Sequence, residues 1–591
     1  MCGVFATTRL DLWRNRVDDV LGALRHRGPD AEGCWIDEQA GVMLVHTRLA
    51  IVGLGPEGRQ PHKLGSSVLA YNGEVYNHTE VAKTLKIEPP ACDTETVHEV
   101  LRQRGVDGLS LLDGMFAMAW WDPGERRLVI ARDHWGIKPL YVYRHADGGV
   151  TVASELAALA LLRPAVDPYG LAHYVAFGHT TPTATVYERI TKLPPGTHAD
   201  FRLDGNTWRT TSCAIAALEG STQPLGDLVE QSVRDQLMAD VPLGVFLSGG
   251  VDSTLIAAAA ANAGTAPRCF TLSFPDSPEH DESAGAARNA ARLDLAHTLV
   301  PATTADLVAR AEPLMRSAGG PIGDGAALAV DLLSEQAAKD VKVVLTGEGA
   351  DEMFGGYVRH GIIRRLAALR AEAVAPLLSR PAELAASKRG DRPWQRATVA
   401  ALQGGGPLGY ATLEQAELSV YAYRDDLRDS LIAQLRADWE LAVATAGTER
   451  AALAFDQRRW LPNTYLEKID RATMRHGLEG RVPYLGAELT AWARRERPAG
   501  KDPLVDELTR LLPGCELPSR KKGLVIELRA LLRCGLDTQV DRVLGTRHSV
   551  LREAFGEDTV SAMRERARRS PTFAYRLATV AIWEEVADVL A

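Results

Sequence analysis

Cys2 stands directly behind the initiator methionine and is followed by Gly3. A small second residue permits removal of Met1. That would leave one residue holding an α-amine with a pKa of ~7.7–8 and a thiol with a pKa of ~8.5, a nucleophile and its base within a few bonds of each other. A second reactive stretch lies mid-chain, in Val245-Phe246-Leu247-Ser248-Gly249-Gly250-Val251-Asp252-Ser253. Gly249 and Gly250 let backbone N–H groups close around phosphate oxygens, and Ser248 and Ser253 add hydroxyl donors. Asp252 would repel phosphate unless a cation sat between them, which implies Mg²⁺. A third stretch, Thr346-Gly347-Glu348-Gly349-Ala350-Asp351-Glu352-Met353-Phe354-Gly355-Gly356-Tyr357, places three carboxylates among glycines. Beside a phosphate ester such carboxylates imply a metal or a proton-transfer role.

Each stretch predicts the element that positions it. An apolar β-prone segment enters Ser248 and an alanine-rich run, Thr254 to Ala263, leaves it, so the order is strand, tight turn, helix, with the helix N-terminus favouring an anion. Val341–Leu345 is a short apolar strand feeding the acidic stretch. Further strands are predicted at Arg268–Phe274 and His297–Val300, with helices at Pro224–Ala239, Ser283–Leu293 and Gly325–Ala338. This alternation argues for a parallel sheet covered by helices, with ligands at the carboxyl ends of its strands. The first two hundred residues read differently. Strands at Val42–Val52, Ser67–Tyr71, Met115–Trp121, Arg127–Arg132 and Leu140–Arg144, with helices at Val17–His26 and Thr94–Arg104, indicate an α+β domain layered on antiparallel sheets. From Pro164 to Phe201 the chain is rich in Pro, Gly and Thr and Gly205–Thr222 is polar, which places domains at 1–205 and 224–591 around a linker at 206–223.

The 591 residues are too many for one core. Lys+Arg 67 against Asp+Glu 76 gives a net charge of −9 without a long basic run, which argues against nucleic acid or an anionic membrane as partner. No apolar run approaches the ~20 residues that span a bilayer, and the N-terminus lacks a basic-then-apolar signal, so a cytoplasmic protein is expected. Cys2, Cys34, Cys92, Cys213, Cys269, Cys515 and Cys534 are scattered and never in C-x-x-C spacing, which suggests neither a disulfide scaffold nor a zinc site. Two motif matches are rejected. Gly53-Leu54-Gly55-Pro56-Glu57-Gly58 fits G-x-G-x-x-G, but Pro56 and Pro61 deny it a helix. His98-Glu99-Val100-Leu101-Arg102 lacks the second His of a zinc-protease helix.

Taken together, Cys2-Gly3, Arg25-His26-Arg27-Gly28-Pro29-Asp30, His46-Thr47-Arg48-Leu49, Asn72-Gly73-Glu74-Val75-Tyr76-Asn77, Asp93 and Arg132-Asp133-His134-Trp135-Gly136-Ile137-Lys138-Pro139-Leu140 resemble the glutaminase domain of class II, N-terminal-nucleophile (Ntn) amidotransferases. The resemblance implies that Cys2 attacks the glutamine amide. Asn72 and the N–H of Gly73 would stabilise the oxyanion, Arg48 would hold the substrate carboxylate, and Glu74 and Asp93 its ammonium. A zwitterion needs a guanidinium at one end and carboxylates at the other.

The Ser-Gly-Gly-x-Asp-Ser string resembles the PP-loop of enzymes that split ATP into AMP and pyrophosphate; no Walker A string occurs. With the acidic stretch, Lys468-Ile469-Asp470-Arg471-Ala472-Thr473-Met474, Leu478-Glu479-Gly480-Arg481-Val482-Pro483 and Arg520-Lys521-Lys522-Gly523, it is similar to the synthetase domain of glutamine-hydrolysing asparagine synthetases. By that resemblance ATP binds around Leu247, Ser248, Gly249, Gly250, Ser253, Leu272, Thr346 and Gly347, and Asp252 and Asp351 bind Mg²⁺. Glu348 would assist formation or aminolysis of an acyl-adenylate, and Lys522 would neutralise phosphate charge. Ammonia must then pass between the domains protected from water.

The match weakens where the acceptor acid belongs. Relatives often read Asp-Glu-Pro and then Asp-x-Ser; here the chain reads Gly319-Gly320-Pro321-Ile322-Gly323-Asp324-Gly325-Ala326, Gly486 replaces an Asp and Thr346 a Ser. Smaller residues imply a roomier pocket. The expected partners are small molecules, namely glutamine, ATP and a carboxylic acid. That acid is aspartate in the simplest case, or a different, larger one in specialised metabolism. A catalytically silent regulatory homologue is the remote alternative. A β-lactam-forming relative is disfavoured, since it would need no glutaminase residues. Whether the chain forms a homodimer is left open.

Overall fold

The computed structural model describes residues 2–88, 90–205, 207–216, 222–357, 360, 361, 364, 425–518 and 523–590. Twelve strands build the first domain: β1 (Cys2–Thr7), β2 (Ala31–Asp37), β3 (Val42–Arg48), β4 (His62–Leu64), β5 (Ser67–Val75), β6 (Gly114–Asp122), β7 (Arg127–Arg132), β8 (Tyr141–Arg144), β9 (Val150–Ala153), β10 (Ile190–Lys192), β11 (Thr197–Asp204) and β12 (Thr207–Ala214). They form two antiparallel sheets, ordered β10-β8-β9-β1-β3-β2 and β12-β11-β7-β6-β5-β4. Val4, Ala6, Val42 and Leu44 of the first sheet meet Val68, Ala70, Ala119 and Ile130 of the second in a dry layer. The helix Asp93–Arg104 covers the outer face of the second sheet through Val97, Val100 and Leu101. This layered antiparallel arrangement puts both faces of the central strands in apolar contact, so those strands read as continuous rather than alternating apolar runs.

The second domain carries β13 (Leu243–Phe246), β14 (Arg268–Ser273), β15 (His297–Pro301), β16 (Val343–Leu345) and β17 (Glu479–Arg481), all parallel, in the order β15-β14-β13-β16-β17. Strand order reverses between β13 and β16, the switch point where an open α/β sheet binds ligands. The helices Leu225–Gln236, Val251–Asn262, Ser283–Arg292 and Ala326–Ala337 follow the predicted pattern. The Ala/Arg-rich stretch Ile362–Arg459 contains the helices Asp425–Ala446 and Ala451–Arg458; residues 362, 363 and 365–424 lie outside the described residues.

Two expectations need revision. The stretch read as linker contains β12, which pairs along its whole length with β11, from Asp204↔Thr207 to Thr197↔Ala214. Its exposed Thr and Ser residues gave no apolar signal; backbone pairing at a sheet edge holds it. The Pro/Gly/Thr-rich run also contains a helix, Pro168–Phe177, whose N-cap Asp167 accepts from Tyr169 N–H at 3.1 Å. That helix, with the final helix Pro571–Leu590, belongs to a single apolar core shared by both domains. Phe5 and Trp13 lie in the same cluster as Leu314, Leu328, Phe573 and Trp583.

Candidate active site

Cys2 begins β1 and is 6% exposed, opposite Arg48 in the β1–β3 register. Its N–H donates to Asn72 Oδ1 at 2.9 Å, and its carbonyl accepts from Arg27 Nε at 3.1 Å. Burial pushes the thiol pKa up, so the thiol is protonated at rest and needs a base to activate it. The other half of the Asn72 amide, Nδ2, is buried without a hydrogen-bond partner. A buried donor left unpaired beside a thiol has the chemistry to bond a negative charge developing there. Gly73 is required by packing, because a Cβ there would lie 2.0 Å from the Met115 carbonyl oxygen. Arg48 is aimed by the loop whose glycines mimic a nucleotide fingerprint: its guanidinium donates to the Gly55 carbonyl at 2.8 Å and to that of Gly53.

Asp93 opens its helix and accepts from Tyr71 OH at 2.7 Å and Val75 N–H at 2.8 Å. Glu74 is 5% exposed, with Oε2 unpartnered and Oε1 3.9 Å from Arg481 Nη2 of the second domain. Burial, with Asp93 and Glu479 nearby, raises the Glu74 pKa well above the ordinary carboxylate range; burial also raises that of Asp93. Two buried carboxylates side by side form a pocket whose ionised state an ammonium would stabilise.

At the switch point the Ser248–Ser253 turn is tied internally, Ser248 N–H and Oγ each lying 3.0 Å from Ser253 Oγ. Leu247 and Leu272 are buried beneath it, and a Cβ on Gly347 would stand 3.0 Å from Asp252 Cβ, so the loops after β13 and β16 touch. Thr346 N–H donates to the Arg481 carbonyl at 2.9 Å, joining the acidic loop to β17. Asp252 and Asp351 converge on a single cation, Lys501 Nζ, at 2.5 and 2.6 Å. Lys501 carries no local motif and only the tertiary fold reveals it. Glu348 pairs with Lys468 Nζ at 3.0 Å, and Asp324 lies 3.7 Å from the same nitrogen. Lys522 falls outside the described residues.

The two centres meet in one helix, Leu466–Met474. Its Asp470 accepts from Arg27 Nη1 and Nη2 at 2.8 and 3.1 Å, and Arg27 is the residue that holds the Cys2 carbonyl. Two residues earlier, Lys468 holds Glu348. Arg27 and Asp470 lay in quoted motifs, yet their pairing joins residues 443 positions apart and is invisible locally.

A family model described as asparagine synthase matches residues 225–587, and one described as a glutamine amidotransferase domain matches residues 1–211. The chain belongs to the asparagine synthase family. It is a glutamine-dependent amidotransferase of that family, a glutamine-hydrolysing amide ligase. A putative asparagine synthetase [glutamine-hydrolyzing] of Mycobacterium tuberculosis (strain ATCC 25618 / H37Rv) is 30% identical over 569 residues, covering 87% of this chain and 84% of the relative. Asparagine synthetase [glutamine-hydrolyzing] 1 of Bacillus subtilis (strain 168) is 28% identical over 78% of this chain and 74% of its own length. Amidase chry2 of Gibberella zeae is 30% identical over 57% of this chain and 54% of its own length.

One correction concerns residues 319–325, expected from the sequence to open a roomier pocket. The glycines of 319–325 do not all open space. A Cβ on Gly319 would lie 2.2 Å from Ala157 N, and one on Gly323 would lie 2.3 Å from the Gly178 carbonyl oxygen. Both are fixed by close approach of the first domain. At Gly320 a Cβ would meet only the side-chain end of Leu156, Cδ1 at 3.2 Å, and no backbone atom.

Proposed function

We propose that Cys2 hydrolyses glutamine and that the ammonia released passes along the domain seam to a carboxylate activated as its adenylate, with AMP and pyrophosphate as products. The observation that carries this reading is the helix Leu466–Met474, which ties the Cys2 carbonyl through Arg27 and Asp470 and the acidic loop through Lys468 and Glu348.

In the glutaminase half, Arg48 receives the carboxylate of glutamine while Glu74 and Asp93 receive its ammonium. The freed α-amine of Cys2 takes the thiol proton, and the sulfur attacks the side-chain amide. Asn72 Nδ2 and the Gly73 N–H hold the oxyanion, ammonia leaves, and water hydrolyses the thioester to glutamate. In the other half, the Ser248–Ser253 turn and Thr346–Gly347 would cradle ATP. Asp252 and Asp351 fit a Mg²⁺ ion, since their oxygens already converge on one cation. No cluster of three or more metal-ligating side chains occurs among the described residues, so phosphate oxygens and water would complete the ion's shell. When bound, the ion neutralises phosphate charge. Glu348, oriented by Lys468, is placed to take the proton that ammonia loses on attacking the acyl carbon.

Aspartate is the simplest acceptor. A different acid is favoured by the loop Gly320–Asp324, which lines the cavity next to Lys468 and departs from the usual residues. Cys2→Ala tests the scheme: glutamine-dependent turnover is lost while turnover with added ammonia persists. Retention of glutamine-dependent pyrophosphate release by that variant overturns it. A panel of carboxylic acids, read by pyrophosphate release, assigns the acceptor.

A further inference from the structure

A cavity on the domain seam is lined by Lys468, Asp324, Lys192 and Arg471. Its cations are already paired: Lys192 Nζ sits 2.7 Å from Glu467 and 2.9 Å from Asn463 Oδ1, and Arg471 donates to Tyr141 OH at 2.7 Å. Leu156, Val186 and Ile322 supply apolar wall. Two polar lining atoms have no partner, His179 Nε2 and Thr464 Oγ1.

The state of His179 follows from its contacts. It is 3% exposed, its ring packs edge-on against Trp460 with centroids 4.7 Å apart, and Nδ1 lies 2.8 Å from the Thr180 carbonyl oxygen. A carbonyl accepts only, so Nδ1 carries the hydrogen and Nε2 presents a lone pair. Burial and the Arg459 charge hold the ring neutral. A buried acceptor left unpaired is costly unless a ligand supplies the hydrogen.

We propose that the acceptor substrate is a carboxylic acid bearing a hydrogen-bond donor, a hydroxyl or an amine N–H, away from its reacting carboxylate, and that His179 Nε2 accepts this hydrogen while Thr464 Oγ1 bonds the same group. The inference rests on the reading that this cavity serves the adenylating centre. Both residues act in specificity; the chemistry belongs to Glu348 and the activated carboxylate. The hydroxyl or amine then fixes which way the acid lies in the cavity.

The test uses the full chain with ATP, Mg²⁺ and added ammonia, and three four-carbon diacids that differ only at one carbon: aspartate (amine), malate (hydroxyl) and succinate (neither). A larger pair, 4-hydroxyphenylacetate and phenylacetate, extends the series. Donor-bearing members are expected to exceed their donor-free counterparts in kcat/KM by at least about tenfold, since a donor-free acid leaves the site's polar atoms unpaired. In His179→Phe that ratio falls toward one, with the loss in KM; Thr464→Val lowers it independently should the first variant fold poorly, as judged by thermal melting. Equal use of malate and succinate by the wild type, or an unchanged ratio in both folded variants, overturns the proposal. Absence of pyrophosphate release with every acid instead overturns the adenylating reading beneath it.

Discussion

Asn72 engages Cys2 through only one end of its amide. Oδ1 fixes the Cys2 backbone, while the buried Nδ2 has no partner. The free donor has value only when an oxyanion forms, so Asn72→Ala should lower glutamine hydrolysis by about 10²–10³-fold with turnover on added ammonia persisting, measured as glutamate and pyrophosphate formed. Glu74 leads to a pH prediction. Its pKa is raised by burial and by the neighbouring carboxylates, so below that value it is neutral and offers an ammonium no charge. Bound glutamine favours the ionised form and expels the proton, hence affinity rises with pH through the Glu74 pKa and is lost as pH falls. The KM for glutamine should therefore climb toward acid pH, and Glu74→Gln should flatten that limb while raising KM throughout. A wild-type KM that is level across the acid range would contradict the assignment.

At the scale of elements, the helix Leu466–Met474 is the part whose loss should separate the two activities. Asp470, Arg27 and Glu155 form a buried ion cluster, and removing one partner of such a cluster strands charge in a dry seam. Asp470→Asn is expected to cost ~3 kcal/mol or more and to let ammonia escape, so that glutamate formed exceeds pyrophosphate released; a retained one-to-one ratio counts against the coupling role. The same helix marks the limit of what sequence pattern reveals. β7 was predicted to its exact ends, and the strands into Ser248 and Thr346 were placed correctly, because short apolar runs between turn signals betray buried parallel strands. The helix Pro168–Phe177 escaped because it is buried on every side and so has no amphipathic period. β17 escaped because two of its three residues are charged. Glu479 and Arg481 are fully buried; they pair with each other at 2.6 Å, and Arg481 also donates to the carbonyls of Gln236 and Met238, partners that only the fold supplies. Lys501 pairs with residues 150 or more positions away and leaves no local signal, whereas the Ser248 turn is legible because its hydrogen bonds close within five residues.

Across the whole molecule, the seam between the domains is built as a core and not as a sliding contact. The helix Pro571–Leu590 lies against the first domain, with Tyr174 OH and Thr579 Oγ1 2.6 Å apart and Trp583 Nε1 donating to Tyr187 OH at 3.0 Å. Tyr187 OH in turn donates to the Gly319 carbonyl at 3.1 Å, so the final helix, the first domain and the Gly319–Asp324 loop form one bonded chain. Inter-domain contacts are commonly polar and permit relative motion; an apolar cluster that runs continuously from Phe5 to Trp583 does not. The two domains should therefore unfold in one calorimetric transition, and Trp583→Ala, which empties a site 1% exposed, should cost ~3–5 kcal/mol and split the transition in two. Because the seam also walls the cavity, the same variant should raise the ratio of glutamate to pyrophosphate without altering the KM for glutamine. Two separate transitions in the wild type would mean that the domains are held together only by their polar contacts, and the seam could then not keep ammonia from water.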